Sequence, residues 1–410
     1  MSSEGGVKRA GEVGGGRAPQ LDVDRLIDDR RTRVIVCCGS GGVGKTTTAA
    51  AIGLRAAQRG RHVVVLTVDP ARRLAQSMGL SRLDNTPRPV PFPERDPAGT
   101  SVKDTDSDGT AGGSLHAMML DMKRTFDEIV EAHADPDRAA QILANPFYQS
   151  LSSGFAGTQE YMAMEKLGQL RRAEEWDLIV VDTPPSRSAL DFLDAPQRLG
   201  RFLDGRLIRL LVVPAKVGGR AYLKVLNASF GVVTGVLTKV LGAQVLKDVQ
   251  TFVSALDTMF GGFRERADYT YRLLRAPDTA FLVIAAPEPD ALREASYFVE
   301  RLAQEGMPLA GLVLNRVHRS SAARLSAARS TAAAETLQAA DGEDGSSHQL
   351  TVAALRLHAE RMQQSAAEHR MAENFTTAHP HVPVAEVPAQ PDDVHDLVGL
   401  AAVGDSFYTE

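Results

Sequence analysis

The residues whose chemistry is easiest to read are Gly39-Ser40-Gly41-Gly42-Val43-Gly44-Lys45-Thr46-Thr47-Thr48. Glycines at this density let backbone N–H groups turn inward around an anion, and a helix starting beside them adds its positive dipole end. A Gly-Lys-Thr close suits a phosphate chain: Lys45 would reach the β/γ-phosphates, and the Thr46 hydroxyl would hold Mg²⁺. The stretch from Gly39 to Thr47 is therefore a candidate phosphate-binding loop of a nucleoside triphosphate. Two aspartates stand at related places. Asp69 follows the apolar run 62–68, and Asp182 closes Leu178-Ile179-Val180-Val181. In a parallel sheet the carboxyl ends of the strands converge on the ligand crevice, so both would face the glycine-rich loop. Asp182 fits a carboxylate that holds Mg²⁺ through water, and Asp69 could orient or deprotonate an attacking water. The plainer alternative for either is to cap the helix that follows.

A strand, Val34 to Cys38, must deliver the loop, and a helix-prone run, Ala49 to Ala57, must receive it. Further short apolar runs at 62–68, 178–182, 280–286 and 309–315 read as strands buried on both faces. A shorter one spans 381–386, and 115–120 is a weaker candidate. Helical patterns separate them, which predicts an α/β fold with a mostly parallel sheet flanked by helices. The core blocks are 31–80, 115–121, 177–200, 277–318 and 378–410. An inserted helical subdomain is expected over about 123–175 and 201–276, where apolar residues recur at helical spacing, interrupted by Gly235 and Gly242. Its wide apolar face is either ordinary core or a groove for an apolar client. Residues 1–30 read as a tail, disordered at least through residue 20, and 81–114 and 320–347 as flexible insertions. Parts of the Ala-rich 320–347 could be helical.

Composition sets softer limits. A net charge of −5 argues against a nucleic-acid surface, which needs clustered Lys and Arg. Cys37 and Cys38, adjacent in the first strand, are the only cysteines and read as buried small residues in a reducing cytosol. The N-terminus is Gly-rich and polar with no apolar h-region, and no run reaches the roughly 20 apolar residues of a membrane-spanning helix, so a cytoplasmic chain is expected, with any membrane association peripheral and through a partner. His379 and His381 would share a strand face, but no acidic or thiol companion stands nearby to complete a metal site. Trp176 reads as a packing residue rather than a base platform.

Three motifs in order, the glycine-rich loop, Asp69-Pro70-Ala71 and Asp182-Thr183-Pro184-Pro185-Ser186, resemble the ArsA/Get family of ATPases. That family belongs to the deviant-Walker class that includes MinD, ParA and the signal-recognition GTPases, and the resemblance covers most of 31–410 outside the insertions. It implies Mg²⁺-dependent ATP hydrolysis and a dimer gated by nucleotide, serving a protein client or membrane partner. Asp69 matches the family's water-activating switch I aspartate, and 182–196 its switch II. Asn315, in Val313-Leu314-Asn315-Arg316, matches a position that contacts adenine, and Pro388 lies in the loop that packs on the base. Asn315 could also be a simple turn residue. No Asn-Lys-x-Asp stretch for guanine occurs, which favours ATP over GTP.

Departures from the family pattern are as informative. Its loop carries a signature Lys at the second position, which crosses the dimer; here that position is Ser40. Arg72 or Arg73 might replace that cation, or a related ATPase might supply it in a heterodimer, whereas plain solvation is the simpler reading of both arginines. The Cys-x-x-Cys zinc clamp and the metalloid-binding cysteines of other members are missing, so neither zinc nor metalloid is expected. Two other readings stay open: a MinD/ParA-like positioning ATPase, and a nucleotide-binding scaffold with little hydrolysis.

Overall fold

The computed structural model describes residues 19–68, 73–92, 112–146, 148–149, 152, 158–184, 265–266, 268–320, 322, 324–340 and 348–407. Asp69, Arg72, most of 182–196 and the 201–264 part of the expected helical subdomain lie outside these residues, as does the side chain of Arg73.

Among the described residues, eight strands form one sheet in the order β3-β4-β2-β5-β1-β6-β7-β8. They are β1 (Val34–Gly39), β2 (His62–Thr67), β3 (Arg88–Pro89), β4 (Ser114–Met119), β5 (Leu178–Asp182), β6 (Thr279–Ala285), β7 (Leu309–Val317) and β8 (Val384–Pro388). All neighbours pair in parallel except the two-residue edge strand β3, which runs antiparallel to β4. Alternation along β1 explains why the sheet needs cover on both sides. Val34, Val36 and Cys38 point into one core, with Val64, Ile179 and Phe281; Ile35 and Cys37 point into the other, with Val63, Val180 and Ile284.

The helices supply that cover. On the Cys37 face lies α2 (Lys45–Gln58), whose Ala49-Ala50-Ala51 start allows close approach to the sheet. On the Cys38 face pack α4 (Met122–His133), α5 (Pro136–Leu143), α6 (Thr158–Ala173) and α7 (Pro289–Gln304), through residues such as Phe126, Ile142, Leu167 and Phe298. The short α3 (Arg73–Ser77) follows β2. Past β7 come α8 (Ala327–Ala340) and the long α9 (Gln349–Ala378), and α10 (Leu397–Asp405) closes the described chain.

The differences from the sequence-based expectation are local. The tail assigned to 1–30 ends earlier, because α1 (Val23–Asp28) folds onto the core with Val23 and Ile27 fully buried. Asp22 caps it by accepting from Arg25 N, and Asp24 and Asp405 both bind Arg55 of α2, tying α1 and the helix 397–405 to it. In the insertion assigned to 320–347, residues 327–340 form α8. His379 and His381 do not share a strand: His379 follows the C-terminus of α9 and β8 starts only at Val384. The His379 ring packs against Phe375 of the last turn of α9. Trp176 packs its ring on His116, as a structural residue would.

Arg61, at the turn from α2 into β2, is 1% exposed and bonds only backbone oxygens. Its guanidinium donates to Ile27 O (2.8 Å), Thr32 O (2.6 Å) and Asp177 O (2.6 Å), joining α1, the β1 entry and the β5 entry. Burial pulls its pKa down to about 10, yet it remains a cation at neutral pH. Arg61→Met leaves three inward carbonyls without their donor, so the unfolding free energy should fall by roughly 2–4 kcal/mol. Urea denaturation checks this: the midpoint should drop at an unchanged slope.

Candidate functional site

The glycine-rich loop leaves the carboxyl end of β1, in the middle of the sheet between β5 and β6. Gly39 begins it at φ 148°, where an added Cβ would lie 2.0 Å from Ile284 O of β6, so nothing larger fits. Gly42 and Gly44 both take positive φ, 79° and 92°. Such left-handed steps turn successive amides toward one side, the geometry of an anion nest. Gly44 is also the N-cap of α2 and provides no side-chain cap, and no acidic residue occupies the first turn. The amides at this helix start are therefore available to an anion.

Lys45 opens α2 with its side chain folded back over the loop. Nζ donates to Ser40 O at 2.8 Å, and the residue is only 7% exposed. A buried ammonium next to a ring of amides is a strong attractor for phosphate oxygens. Beside it, Thr46 Oγ1 donates to Asp182 Oδ2 at 2.7 Å, and Thr67 Oγ1 donates to the same oxygen at 2.8 Å. The register explains the convergence: Asp182 ends β5 opposite Cys37 of β1 and Thr67 of β2. With its proton committed to Asp182, the Thr46 oxygen turns its lone pairs away from the carboxylate. That pairing of a hydroxyl and a carboxylate is an all-oxygen donor set, suited to a hard cation such as Mg²⁺.

Ser40 behaves differently from its neighbours. Its carbonyl accepts from Lys45, while its hydroxyl is buried with no hydrogen-bond partner among the described residues. It is a spacer inside the loop rather than an arm that could reach another chain. Beneath the loop, Cys37 and Cys38 are buried thiols. Burial, then the Asp182 carboxylate, raises the Cys37 pKa, and burial pushes that of Cys38 up to about 12, so neither is a reactive thiolate at neutral pH.

A cavity of about 890 Å³ opens beside the loop, bordered by Gly44, Thr46, Asn315, His318, Pro388 and Gln390 among others. Asn315 sits at the end of β7, where Arg316 takes a left-handed φ of 64° and makes a bulge against β8. The bulge turns Asn315 toward the loop, and its Nδ2 donates to Val43 O at 2.8 Å. An added Cβ on Gly44 would meet that nitrogen at 2.3 Å, so the contact needs glycine there. The structure thus brings Lys45, Thr46, Asp182, Asn315 and Pro388 around one loop and one cavity; Asp69 falls outside the described residues. His318 at the cavity wall was missed in the sequence, where nothing in its spacing signals a role.

Comparison with known proteins points to one family. A family model described as "Anion-transporting ATPase" (ArsA_ATPase) matches residues 32–374. The chain is similar to the ATPase get3 of Schizosaccharomyces pombe, at 22% identity over 72% of this chain and 76% of that protein. It is similar to the ATPase GET3 of Chaetomium globosum, at 23% identity over 74% and 78%. A match to the ATPase GET3 of Malassezia globosa reaches 26% identity but spans 44% of this chain and only 47% of that protein.

Proposed function

Because the chain belongs to the ArsA-type anion-transporting ATPase family, we propose that it is a Mg²⁺-dependent ATP hydrolase whose nucleotide state switches a dimer. The observation that carries the reading is the Thr46–Asp182 hydrogen bond beside Lys45, because it prepares an oxygen pair for a metal where a phosphate chain would lie. Thr46 and, through water, Asp182 would hold Mg²⁺, which would supply charge neutralisation to the bound phosphates.

The chain's own residues do the rest. The amides around Gly42 and Gly44 and the start of α2 bind the phosphates, and Lys45 stabilises charge that grows on the transferred group. Asn315 and Pro388 border the space a base would fill, and we assign them to adenine. Asp69 follows β2, whose carboxyl end lies beside that of β5, and we assign it the attacking water. Asp69→Asn should leave ATP affinity within about threefold and lower turnover roughly 100-fold or more, since it removes one positioned base. Calorimetric titration paired with phosphate-release kinetics tests this, and unchanged turnover would remove Asp69 from the mechanism.

Partners follow from Ser40. The hydroxyl is buried and short, so it cannot stabilise charge at a second active site. We therefore favour a heterodimer, in which a related ATPase lends this chain a cation, over a homodimer that uses Arg72 or Arg73. A protein client or a membrane protein is the expected beneficiary of the switch. Among the described residues no helix is long and apolar enough to cross a membrane. Both cysteines lie under the loop, so the thiolate chemistry of metalloid activation has no place in this reading. Adding the right partner should raise turnover by orders of magnitude, as arginine fingers do.

A further inference from the structure

The long helix α9 changes partners halfway along its 30 residues. Its first half pairs with α8, and the residues it buries there, Val352 and Ala359, belong to neither core of the sheet. In the second half Phe375 joins the core on the Cys38 face, with Met371 and Ala372 packed against it. Between the two stands Glu368, 5% exposed. From Ala359 to Glu368 is about two and a half turns, so the buried side of the helix switches there. What Glu368 holds is the end of β7. The pairing of β7 with β6 stops at Leu314 and with β8 at Val317, so neither ladder takes the N–H of His318. Glu368 Oε2 accepts it at 2.8 Å, Gln364 Nε2 donates to Oε1 at 3.0 Å, and His318 Nδ1 lies 2.6 Å from Oε1. The backbone bond alone ties the strand end to α9, whatever the charge on the ring. Three residues earlier, Asn315 Nδ2 donates to Val43 O of the glycine-rich loop at 2.8 Å. One short piece of β7 is thus pinned by the loop at Asn315 and by α9 at His318, and both residues border the cavity.

We propose that Glu368 is a positioning residue for nucleotide binding, and that through it the cavity and the α8–α9 hairpin are coupled, each held more firmly when the other is in place. The inference rests on the reading of the cavity as the nucleotide site. Glu368 touches no nucleotide in this scheme. When α9 lets go at Glu368, the N–H of His318 loses its acceptor, the strand end slackens between the loop and the helix, and the cavity loses part of the preorganisation that tight binding needs. Coupling between two places is reciprocal in binding free energy. A nucleotide that favours the closed wall must therefore hold α9 down by the same factor by which α9 tightens the nucleotide.

The test pairs calorimetric titration of the full chain with amide hydrogen exchange, both with a non-hydrolysable ATP analogue and Mg²⁺. Glu368→Ala should weaken binding about tenfold, the size of one hydrogen bond left unmade. Turnover at saturating ATP should stay within about threefold, because the residue places a wall and not the reacting groups. Glu368→Gln keeps an acceptor for the His318 amide and should recover most of the affinity. In the wild type the analogue should slow exchange in residues 362–378 by up to about the same tenfold, more than in α1, which does not border the cavity. In Glu368→Ala that extra protection should vanish. A carboxyl group with a structural role alone would lower the melting temperature and leave affinity and nucleotide-dependent exchange unmoved. Affinity of Glu368→Ala within about twofold of wild type, or wild-type α9 exchange indifferent to nucleotide, overturns the inference and leaves the ATPase reading standing. If Glu368→Ala does not fold, the wild-type exchange decides alone. A wild-type chain that binds no nucleotide overturns both.

Discussion

Lys45→Ala should weaken ATP binding by two orders of magnitude or more. The ammonium is nearly buried, held by Ser40 O, and sits where the loop amides and the α2 start already concentrate positive potential. Hydrogen bonds from an ionised donor to phosphate contribute about 1.5–3 kcal/mol each, and a desolvated site enlarges the effect. Losing the cation while keeping the nest leaves the phosphates facing amides alone. A loss of about 3 kcal/mol corresponds to roughly 150-fold in affinity. The substitution also leaves the buried Ser40 O without its donor, a cost to stability of about 1–3 kcal/mol that is distinct from the loss of affinity. Titration calorimetry and thermal melting on one sample separate the two effects. Full-strength binding by a folded Lys45→Ala variant would show that the phosphate site lies elsewhere.

Asp182→Asn should spare nucleotide binding and lower turnover by about 10²–10³, the scale seen when one electrostatic group is removed from an active site. Asparagine matches the shape, and its Oδ1 can still accept from Thr46 and Thr67, so the meeting of β1, β2 and β5 survives. The negative charge that would steady a metal's water shell does not survive. Raising Mg²⁺ should therefore recover part of the lost rate in the variant and little in the wild type. Alanine is the worse choice, because it leaves two threonine hydroxyls without their acceptor and mixes stability with catalysis. A rate in Asp182→Asn equal to wild type at limiting Mg²⁺ would remove the carboxylate from the metal site.

The parts of this site that were legible in the sequence are those where chemistry and local structure coincide. The loop declared itself because Gly39 to Thr48 needs a strand before it and a helix after it, and both are visible as apolar and alanine-rich runs. Asp182 was legible because a carboxylate at the end of a fully apolar strand has little reason to be there except at the strand's ligand end. What stayed hidden depends on long-range contact or weak patterning. Glu368 lies 50 residues beyond His318, on an alanine-rich helix with only four buried residues among those described, so periodicity marked neither the helix nor the buried carboxylate that meets His318. The six-residue α1 is too short to show a period, and its packing rests on two apolar residues and the Arg55–Asp24 pair. The strand assignment of His379 and His381 went astray because a Pro-containing apolar run reads alike in a helix-to-strand turn and in a strand.

The most direct measurement is steady-state phosphate release from ATP by the purified full chain, with Mg²⁺, with the metal chelated, and with Lys45→Ala in place of wild type, each alone and with the candidate partner ATPase. Slow turnover that requires Mg²⁺, vanishes in Lys45→Ala and accelerates when the partner is added is the predicted result. Turnover that persists without divalent metal or in Lys45→Ala would contradict it.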